Sequence, residues 1–491
     1  MNMEKINWPG IDSDHLVVYS KEMSDLENEM FSNGMPEESL MEKAGILISQ
    51  WLLNRKKLVK HGVVIFIGPG HNGGDGSVIA RELFLKGVSV KIWTPLPIKK
   101  KLTINHLNYI TSIGVEQLKK APNPKKNDLW IDSILGNNQK KNINSNLIDL
   151  FNRKFHCNKG KIICIDIPTG LCPDTGKPFA DNAIKANITL SVGLKKIGIM
   201  QDSALPFVGK IHNINIGLTQ NQLIKTRKKI LSISSKDRKT LNLSLPTKNS
   251  TKYQRGRTLI ISGSNKYPGA AHLALKGAMA SGAGLIKAIV PEVVAKSLWR
   301  VAPEAIVEDV LSQSADGNSL ISKALKYNDL NKFDSIVIGP GIGIDVQDWE
   351  ESIGFLKNFE GLLILDADAL NRIAISELKK EFFLERKYKT WITPHLREFD
   401  RLFPEIVGIN NVELALNSVK NSDFKILLKG AHSVVADNQG NVWQIYETDS
   451  SSARAGLGDL LAGFIGGISA LEISSGEDIS SESFAKYALM H

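Results

Sequence analysis

Short apolar runs separated by stretches of helical spacing recur along most of this chain, and that alternation limits the folds open to it. The first half carries Val63–Ile67, Val88–Trp93, Leu129–Leu135, Ile162–Ile167 and Ile188–Val192, with Ser77–Lys86 among the helical stretches between them. The second half repeats the pattern with Thr258–Ser262, Leu285–Val290, Ser335–Ile338, Leu362–Leu365, Thr390–Ile392 and Ile426–Leu428. It then enters a hairpin, Ser433–Ile445, with Gln439-Gly440 as the turn. Continuous apolar runs of this kind read as strands buried on both faces, and strands alternating with helices imply a parallel sheet covered on both sides. The predicted fold class is α/β, with two doubly wound domains.

The charge pattern marks where they join. The formal net charge is +10, and residues 219–257 hold eleven basic residues against one acid, Asp237, a local net of +10. The remainder of the 491-residue chain is therefore balanced. The basic stretch is built from Lys, Ser, Asn and Leu with Tyr253 as its one aromatic, unlike the aromatic-interleaved surface of a nucleic-acid reader. It reads as a solvated connector. The predicted domains are residues 1–220 and 246–491, with 221–245 as a basic linker.

Other classes fall away on composition. With 42% hydrophobic and 23% charged residues the chain is of ordinary globular make-up, not disordered. No apolar run approaches the ~18–20 residues of a membrane span, and the opening MNMEKINWPGIDSDH has no signal-peptide core. Cys157, Cys164 and Cys172 are odd in number and lack C-x-x-C spacing, so neither a disulfide framework nor a thiolate zinc site is expected. A cytoplasmic setting is the expectation. Helical spacing continues up to His491.

In open α/β sheets ligands sit at the carboxyl ends of strands, so the residues after each strand locate the sites. In the first half these are Gly68-Pro-Gly-His71-Asn72-Gly73-Gly74-Asp75-Gly76, then Asp132 followed by Gly136-Asn137-Asn138, then Asp166-Ile-Pro-Thr169-Gly. Gly68-x-Gly70-x-x-Gly73 matches a dinucleotide fingerprint literally, but the second strand ends Trp93-Thr94-Pro95 without the ribose-binding acid. No Lys-Ser/Thr closes the loop as a P-loop would. What remains is a glycine loop open to an anionic ligand, and oxygen-rich groups suited to a hard cation. A capped strand-to-helix turn accounts for less of it, because four glycines lie between residues 70 and 76.

These residues, with Met41-Glu-Lys-Ala-Gly45 and Lys196-Ile-Gly198, resemble the NAD(P)H-hydrate epimerase domain over roughly residues 15–218. The resemblance implies a Rossmann-like three-layer sandwich. It implies that His71, Asn72, Gly73, Gly74, Asp75, Gly136, Asn137, Asn138 and Asp166 contact the hydrated nucleotide, with Asp166 catalytic, and that Asn72, Asp132 and Thr169 hold potassium. His71 stands where the family usually has Asn, and Asn137-Asn138 where it has Thr-Gly.

In the second half the strongest motif is Ala455-Gly-Leu-Gly458-Asp459-Leu-Leu-Ala-Gly463, glycines opening a helix whose N-terminus favours an anion. Taken alone, Asp459 reads equally well as an ordinary N-terminal helix acid. Gly339-Pro-Gly341-Ile-Gly343, Asp366-Ala-Asp368, Thr393-Pro-His395 and Lys429-Gly430-Ala431-His432-Ser433 accompany it, and the reading is of five polar turns closing five strands of one sheet. Together with Gly269-Ala270-Ala271, they resemble the ribokinase-like ADP-dependent NAD(P)H-hydrate dehydratase domain over roughly residues 245–491. That resemblance places Ala270, Gly341, Gly343, His395 and Asp459 at the hydrate and Lys429, Gly430, Ala431, His432, Ser433 and Gly458 at the nucleotide. Asp459 would be the catalytic base. Thr251-Lys-Tyr253 and Arg397 depart from the family pattern.

The combined resemblance implies one repair chemistry. Nicotinamide nucleotides hydrated at the 5,6-double bond exist as R and S epimers; one domain would interconvert them, and the other would phosphorylate the S epimer from ADP and eliminate phosphate. The expected ligands are NADHX, NADPHX, ADP with Mg2+, and K+. Homo-oligomerisation is expected, and neither nucleic acid nor membrane. Two rivals stay open: a ribokinase-like small-molecule kinase, and a first domain that binds without catalysing.

Overall fold

The computed structural model describes residues 8–140, 143–226, 229–243, 246–247, 249–448 and 454–491. It separates into two compact units, one of residues 11–229 and one of residues 1–10 together with 230–491.

In the unit of residues 11–229, seven parallel strands form one sheet: β1 (Val63–Ile67), β2 (Val90–Trp93), β3 (Glu116–Gln117), β4 (Leu129–Ser133), β5 (Ile162–Ile165), β6 (Ile188–Val192) and β7 (Lys210–Ile214). Their order is β3-β2-β1-β4-β5-β6-β7, which reverses direction between β1 and β4. The five apolar runs read from the sequence all fall on these strands. One sheet face packs Ile65, Ile67, Ile131, Ile163 and Leu190 into a core, and the other packs Phe66 and Trp130 with Phe151. Three helices concern the site: α1 (Ser20–Ser32), α2 (Glu37–Leu53) and α3 (His71–Leu85).

Helix α3 begins six residues before the expected Ser77. Gly73, Gly74 and Gly76 are thus helical and buried, not loop. The cause is packing: a Cβ at Gly73 would lie 2.1 Å from the Gly68 carbonyl oxygen, at Gly74 2.4 Å from Met41 Sδ, and at Gly76 2.0 Å from Ser133 Oγ. Glycine lets this helix press against β1, α2 and β4, and so brings its first turn to the strand ends.

The second unit's sheet comprises β8 (Lys229–Ile233), β9 (Arg257–Ile261), β10 (Leu285–Pro291), β11 (Ile306–Gln313), β12 (Ser319–Leu320), β13 (Ser335–Ile338), β14 (Leu362–Leu365), β15 (Thr390–Ile392), β16 (Phe424–Leu428), β17 (Val434–Ala436) and β18 (Asn441–Ile445). Within it the order is β12-β11-β10-β9-β13-β14-β15-β16-β17-β18-β8. Strands β9 to β11 and β13 to β16 are parallel, and the β17–β18 hairpin is antiparallel, turning at Gly440 as expected. The helices that matter are α4 (Pro268–Ala280), α5 (Asp368–Ile375), α6 (Leu396–Leu402) and α7 (Leu457–Ser474).

Two expectations need correcting. The stretch 221–245 is not only a solvated connector: Ile230–Ile233 are buried on β8, and a 3-10 turn covers Ser235–Thr240. Its lysines and arginines flank an apolar strand, which the charge count concealed. Arg227, Lys228, Ser244, Leu245 and Lys248 lie outside the described residues. Helix α7 does have the length and composition of a membrane span, at 18 residues and mean hydropathy 1.4. Its residues Ala462–Glu472 are buried, and it packs along α4 and beneath β9, β13 and β14, as the core helix of this unit.

The first boundary also shifts, because Trp8–Gly10 belong with residues 230–491. Trp8 is buried there: its indole N–H donates to Thr240 Oγ1 (3.1 Å), its backbone N–H to Glu482 (3.0 Å), and its carbonyl accepts from the Trp443 indole (3.0 Å). Trp8→Ala is expected to destabilise the unit of residues 230–491 by about 3 kcal/mol, the usual cost of emptying a buried aromatic site. Residues 11–229 should keep their stability. Hydrogen exchange in rising denaturant, read separately for each unit, checks this.

Candidate functional sites

In the first unit a cleft of about 340 Å³ opens at the carboxyl ends of β1, β4 and β5, where the sheet order reverses. His71, Asn72, Asp75, Gly136, Asn137, Asn138 and Asp166 all line it, so most of the sequence-selected residues converge. Gly73 and Gly74 do not; they sit behind the cleft wall and set the approach of α3. Asp132 and Thr169 lie beneath the rim, fully buried.

Asp166 is held by donors on every side. Its Oδ2 accepts from the Asn137 N–H (2.7 Å), and its Oδ1 from the Val192 N–H (3.3 Å) and from the Lys196 ammonium. Its backbone has φ of +70°, a costly conformation for a residue with a side chain. Lys196 is almost fully buried and also donates to the Val192 carbonyl (2.6 Å). Sequence reading placed Lys196 in a motif but assigned it no role.

Around this pair stand carboxyls without a cation of their own. Burial, then the nearby charges of Asp166 and Glu27, push the Asp75 carboxyl well above its usual range. Glu27, from α1, is pushed up to about 7 by burial, with Asp166 and Glu37 adding repulsion against the pull of Lys196. Sequence reading missed Glu27. Its one signal is position: it lies four residues after Met23 and three before Met30, on the buried stripe of its helix.

Beneath the rim Asp132 accepts from the Thr169 hydroxyl (2.8 Å), the Thr169 N–H (2.9 Å) and the Ile134 N–H (3.1 Å), and burial raises its pKa. Asn72 donates weakly to the Ile165 carbonyl (3.4 Å), while its Oδ1 is buried with no hydrogen-bond partner. A buried amide oxygen in that state is a ready ligand for a hard cation.

The second site lies at the carboxyl ends of β13, β14, β15 and β16. The glycine box opens helix α7 instead of closing a fifth strand, so four strand ends and one helix start converge. Gly456 is the cap of α7, with φ of +86°, a backbone shape that favours glycine. Gly341, at φ +66°, approaches Ala270 so closely that a Cβ would lie 2.6 Å from the alanine methyl, which joins two of the predicted hydrate contacts.

Lys429 donates to Asp366 Oδ1 (2.7 Å), as does the Thr393 hydroxyl (2.8 Å); Asp366 Oδ2 is buried without a partner. Burial disfavours the Lys429 ammonium, but Asp366 and Glu398 overcome that and raise its pKa. A Cβ on Gly458 would lie 3.3 Å from the same ammonium, so Lys429 reaches the start of α7. Burial, then Asp366, raise Asp459 to about 6 despite Lys429. His395 caps α6, its Nδ1 accepting from the Glu398 N–H (3.2 Å). Gly343 donates to Asp368 (2.9 Å). Gly430 and Ala431 are exposed at their turn, Ser433 bonds back to the Gly430 carbonyl (3.1 Å), and His432 is buried. Sequence reading named Asp366 only as part of a turn.

Two parallel α/β units, each with a lysine-held carboxylate at its strand ends, define a two-domain enzyme acting on anionic small molecules. Comparison with known proteins makes this specific. The pattern of the NAD(P)H-hydrate dehydratase family matches residues 258–488, and that of the YjeF-related protein N-terminus matches residues 37–198. The chain is 34% identical to the bifunctional NAD(P)H-hydrate repair enzyme of Synechocystis, over 92% of this chain and 85% of the relative. It is also 34% identical to that of Gloeobacter violaceus, over 92% and 88%. Among solved structures, the ADP/ATP-dependent NAD(P)H-hydrate dehydratase of Bacillus subtilis, co-crystallised with ATP and Mg2+, is 25% identical, with a TM-score of 0.41, over 51% of this chain and 84% of that one. The chain belongs to the family of bifunctional NAD(P)H-hydrate repair enzymes.

Close packing of α7 on α4 carries Asp459 to its place. A Cβ at Gly463 would lie 1.8 Å from the Ala274 carbonyl oxygen. Gly463→Ala is therefore expected to destabilise the second unit by about 1–3 kcal/mol, since backbone cannot yield as a side chain can. Gly354→Ala, with no atom within 4 Å of the added methyl, should be neutral or slightly stabilising. Denaturant titration of the two variants compares them.

Proposed function

We propose that residues 11–229 equilibrate the R and S epimers of NAD(P)H hydrates and that residues 230–491 dehydrate the S epimer at the expense of ADP. The observation that carries the second half is Asp459: a carboxylate raised to about 6, on the opening turn of α7 and facing the cation of Lys429. Such a group is ionised at neutral pH yet basic enough to accept a hydroxyl proton. The S epimer's hydroxyl would give its proton to Asp459 as its oxygen takes the terminal phosphoryl group. Backbone N–H groups at the start of α7, with Lys429, would hold the phosphates. Loss of phosphate then restores the ring double bond. Mg2+ accompanying the nucleotide would rest chiefly on phosphate oxygens; among the described residues no cluster of three His, Cys, Asp or Glu forms a protein-only site.

Asp459→Asn is expected to slow dehydration about 10²–10⁴-fold, the usual loss of a general base. The unaltered enzyme should gain rate as pH climbs through about 6, where Asp459 loses its proton, and decline below it. The measurement is the return of reduced-cofactor absorbance from S hydrate with nucleotide. Accumulation of a stable phosphorylated product instead would make the unit a small-molecule kinase.

In the first unit the reading rests on Asp166, placed in the cleft by Lys196 and two backbone donors. Asn72, Asp132 and Thr169 would hold potassium, and the unpartnered Asn72 Oδ1 supports that assignment. Potassium would supply positive charge beside the substrate's anionic groups. Asn72→Ala is expected to raise the potassium concentration needed for half-maximal epimerisation by roughly tenfold or more, with little change in dehydration of pure S epimer. Titrating potassium against a large organic cation at constant ionic strength reads it.

A further inference from the structure

The epimerase reading leaves one carboxyl in the cleft without a task. Glu27 projects from the buried stripe of α1 into the same space as Asp166, Asp75 and Lys196. Its helix is tied to the substrate loop: Asn137 Nδ2 donates to the Ser20 carbonyl (2.9 Å) and to Ser24 Oγ (3.3 Å), and Ser24 bonds to Asn138 Oδ1 (3.3 Å). Among the described residues the Glu27 carboxyl accepts no hydrogen bond and forms no ion pair. A long carboxyl on a core-facing stripe, desolvated and unpaired, contributes nothing to packing that methionine or leucine would not supply better.

The reaction needs two proton-transfer groups. The hydrate carries its hydroxyl on the ring carbon bonded to nitrogen, so it is a hemiaminal. Inverting that carbon without redox chemistry can proceed by opening the ring. The hydroxyl proton leaves, the C–O bond becomes C=O, the C–N bond breaks, and nitrogen takes a proton. Rotation about the adjacent carbon–carbon bond turns the other aldehyde face toward nitrogen, and the reverse transfers close the ring. Nothing is oxidised or reduced, and both protons return. Asp166, surrounded by donors, is placed to accept. A donor is then required elsewhere in the cleft.

We propose that Glu27 is that donor, the second proton-transfer group of the epimerase cleft, acting with Asp166. The proposal rests on the epimerase assignment above. The charged groups that face Glu27 agree with it. Asp166 from the end of β5, Asp75 from the first turns of α3 and Glu37 from α2 favour its protonated form, with Lys196 opposing them. Glu27 raised to about 7 by burial keeps its proton at and below neutral pH, the state a donor needs.

The test uses the full-length chain without nucleotide, following approach to equilibrium from pure R epimer, with spontaneous epimerisation subtracted. Glu27→Gln is expected to lower kcat about 100-fold with KM little changed, and Glu27→Asp to retain part of the rate. The unaltered protein should lose rate as pH climbs through about 7, and this limb should persist in Glu27→Asp and vanish from the residual activity of Glu27→Gln. Hydrogen exchange over residues 11–229 verifies that each variant is folded. A folded Glu27→Gln protein near the parental rate, or one slowed with its alkaline limb intact, overturns the proposal. Asp166→Ala in the same assay separates the two ideas. If it is inactive while Glu27→Gln is active, only the role of Glu27 falls. If both equilibrate the epimers at the parental rate, the epimerase assignment itself falls.

Discussion

A lysine largely withdrawn from solvent, meeting a carboxylate at the end of a parallel strand, underlies both sites. Lys196 meets Asp166 after β5, and Lys429 meets Asp366 after β14. Burying such charges is costly unless further hydrogen bonds complete them. The Val192 carbonyl and two backbone N–H groups complete the first pair, whereas the Thr393 hydroxyl serves one oxygen of the second and Asp366 Oδ2 is left without a partner. Each lysine is thereby largely committed to one carboxylate. The other acids, Glu27 and Asp75 in one unit, Asp459 and Glu398 in the other, face like charge in a desolvated setting and bind protons more tightly. Burial is the larger cause in each case, and the commitment of the nearby cation elsewhere leaves it uncompensated. Backbone strain accompanies both pairs: Asp166 itself, and Ala367 directly after Asp366, have positive φ.

The strands were legible because a strand buried on both faces needs an unbroken apolar run, and the strand ends because polar residues follow such runs abruptly. That logic located the glycine loop, Asp132, Asp166, Asp366, His395 and Lys429. It does not reach a residue whose surroundings come from a distant part of the chain. Glu27 occupies an otherwise ordinary amphipathic helix, and only the fold shows that its stripe meets Asp166. The glycines carry a packing demand that the sequence does not show: an added Cβ would meet Gly68 at Gly73 and Met41 at Gly74. Strand β8 was hidden by the charge around it, since a net charge averages over the alternation that marks a strand.

Two departures from the family pattern become intelligible in the cleft. His71 pairs with Glu37 on α2 (3.1 Å), and burial lowers its pKa. Asn137 reaches back to α1 through its amide while its backbone N–H serves Asp166. Both residues fasten the loops of the cleft to α1 and α2, while Asp166 is held by the Asn137 backbone N–H and by Lys196.

The docking of Trp8 among Thr240, Trp443 and Glu482 has a consequence for the order of events at the ribosome. Trp8 precedes these three partners by 232, 435 and 474 residues, so it emerges well before any of them. Residues 11–229 hold a complete sheet of their own and can fold as they emerge. Trp8, with its aromatic ring and backbone donor, must stay without these partners throughout that time. Closure of the second unit around Trp8 is therefore a long-range event, and a pause in translation before Glu482 leaves this aromatic side chain without its partners.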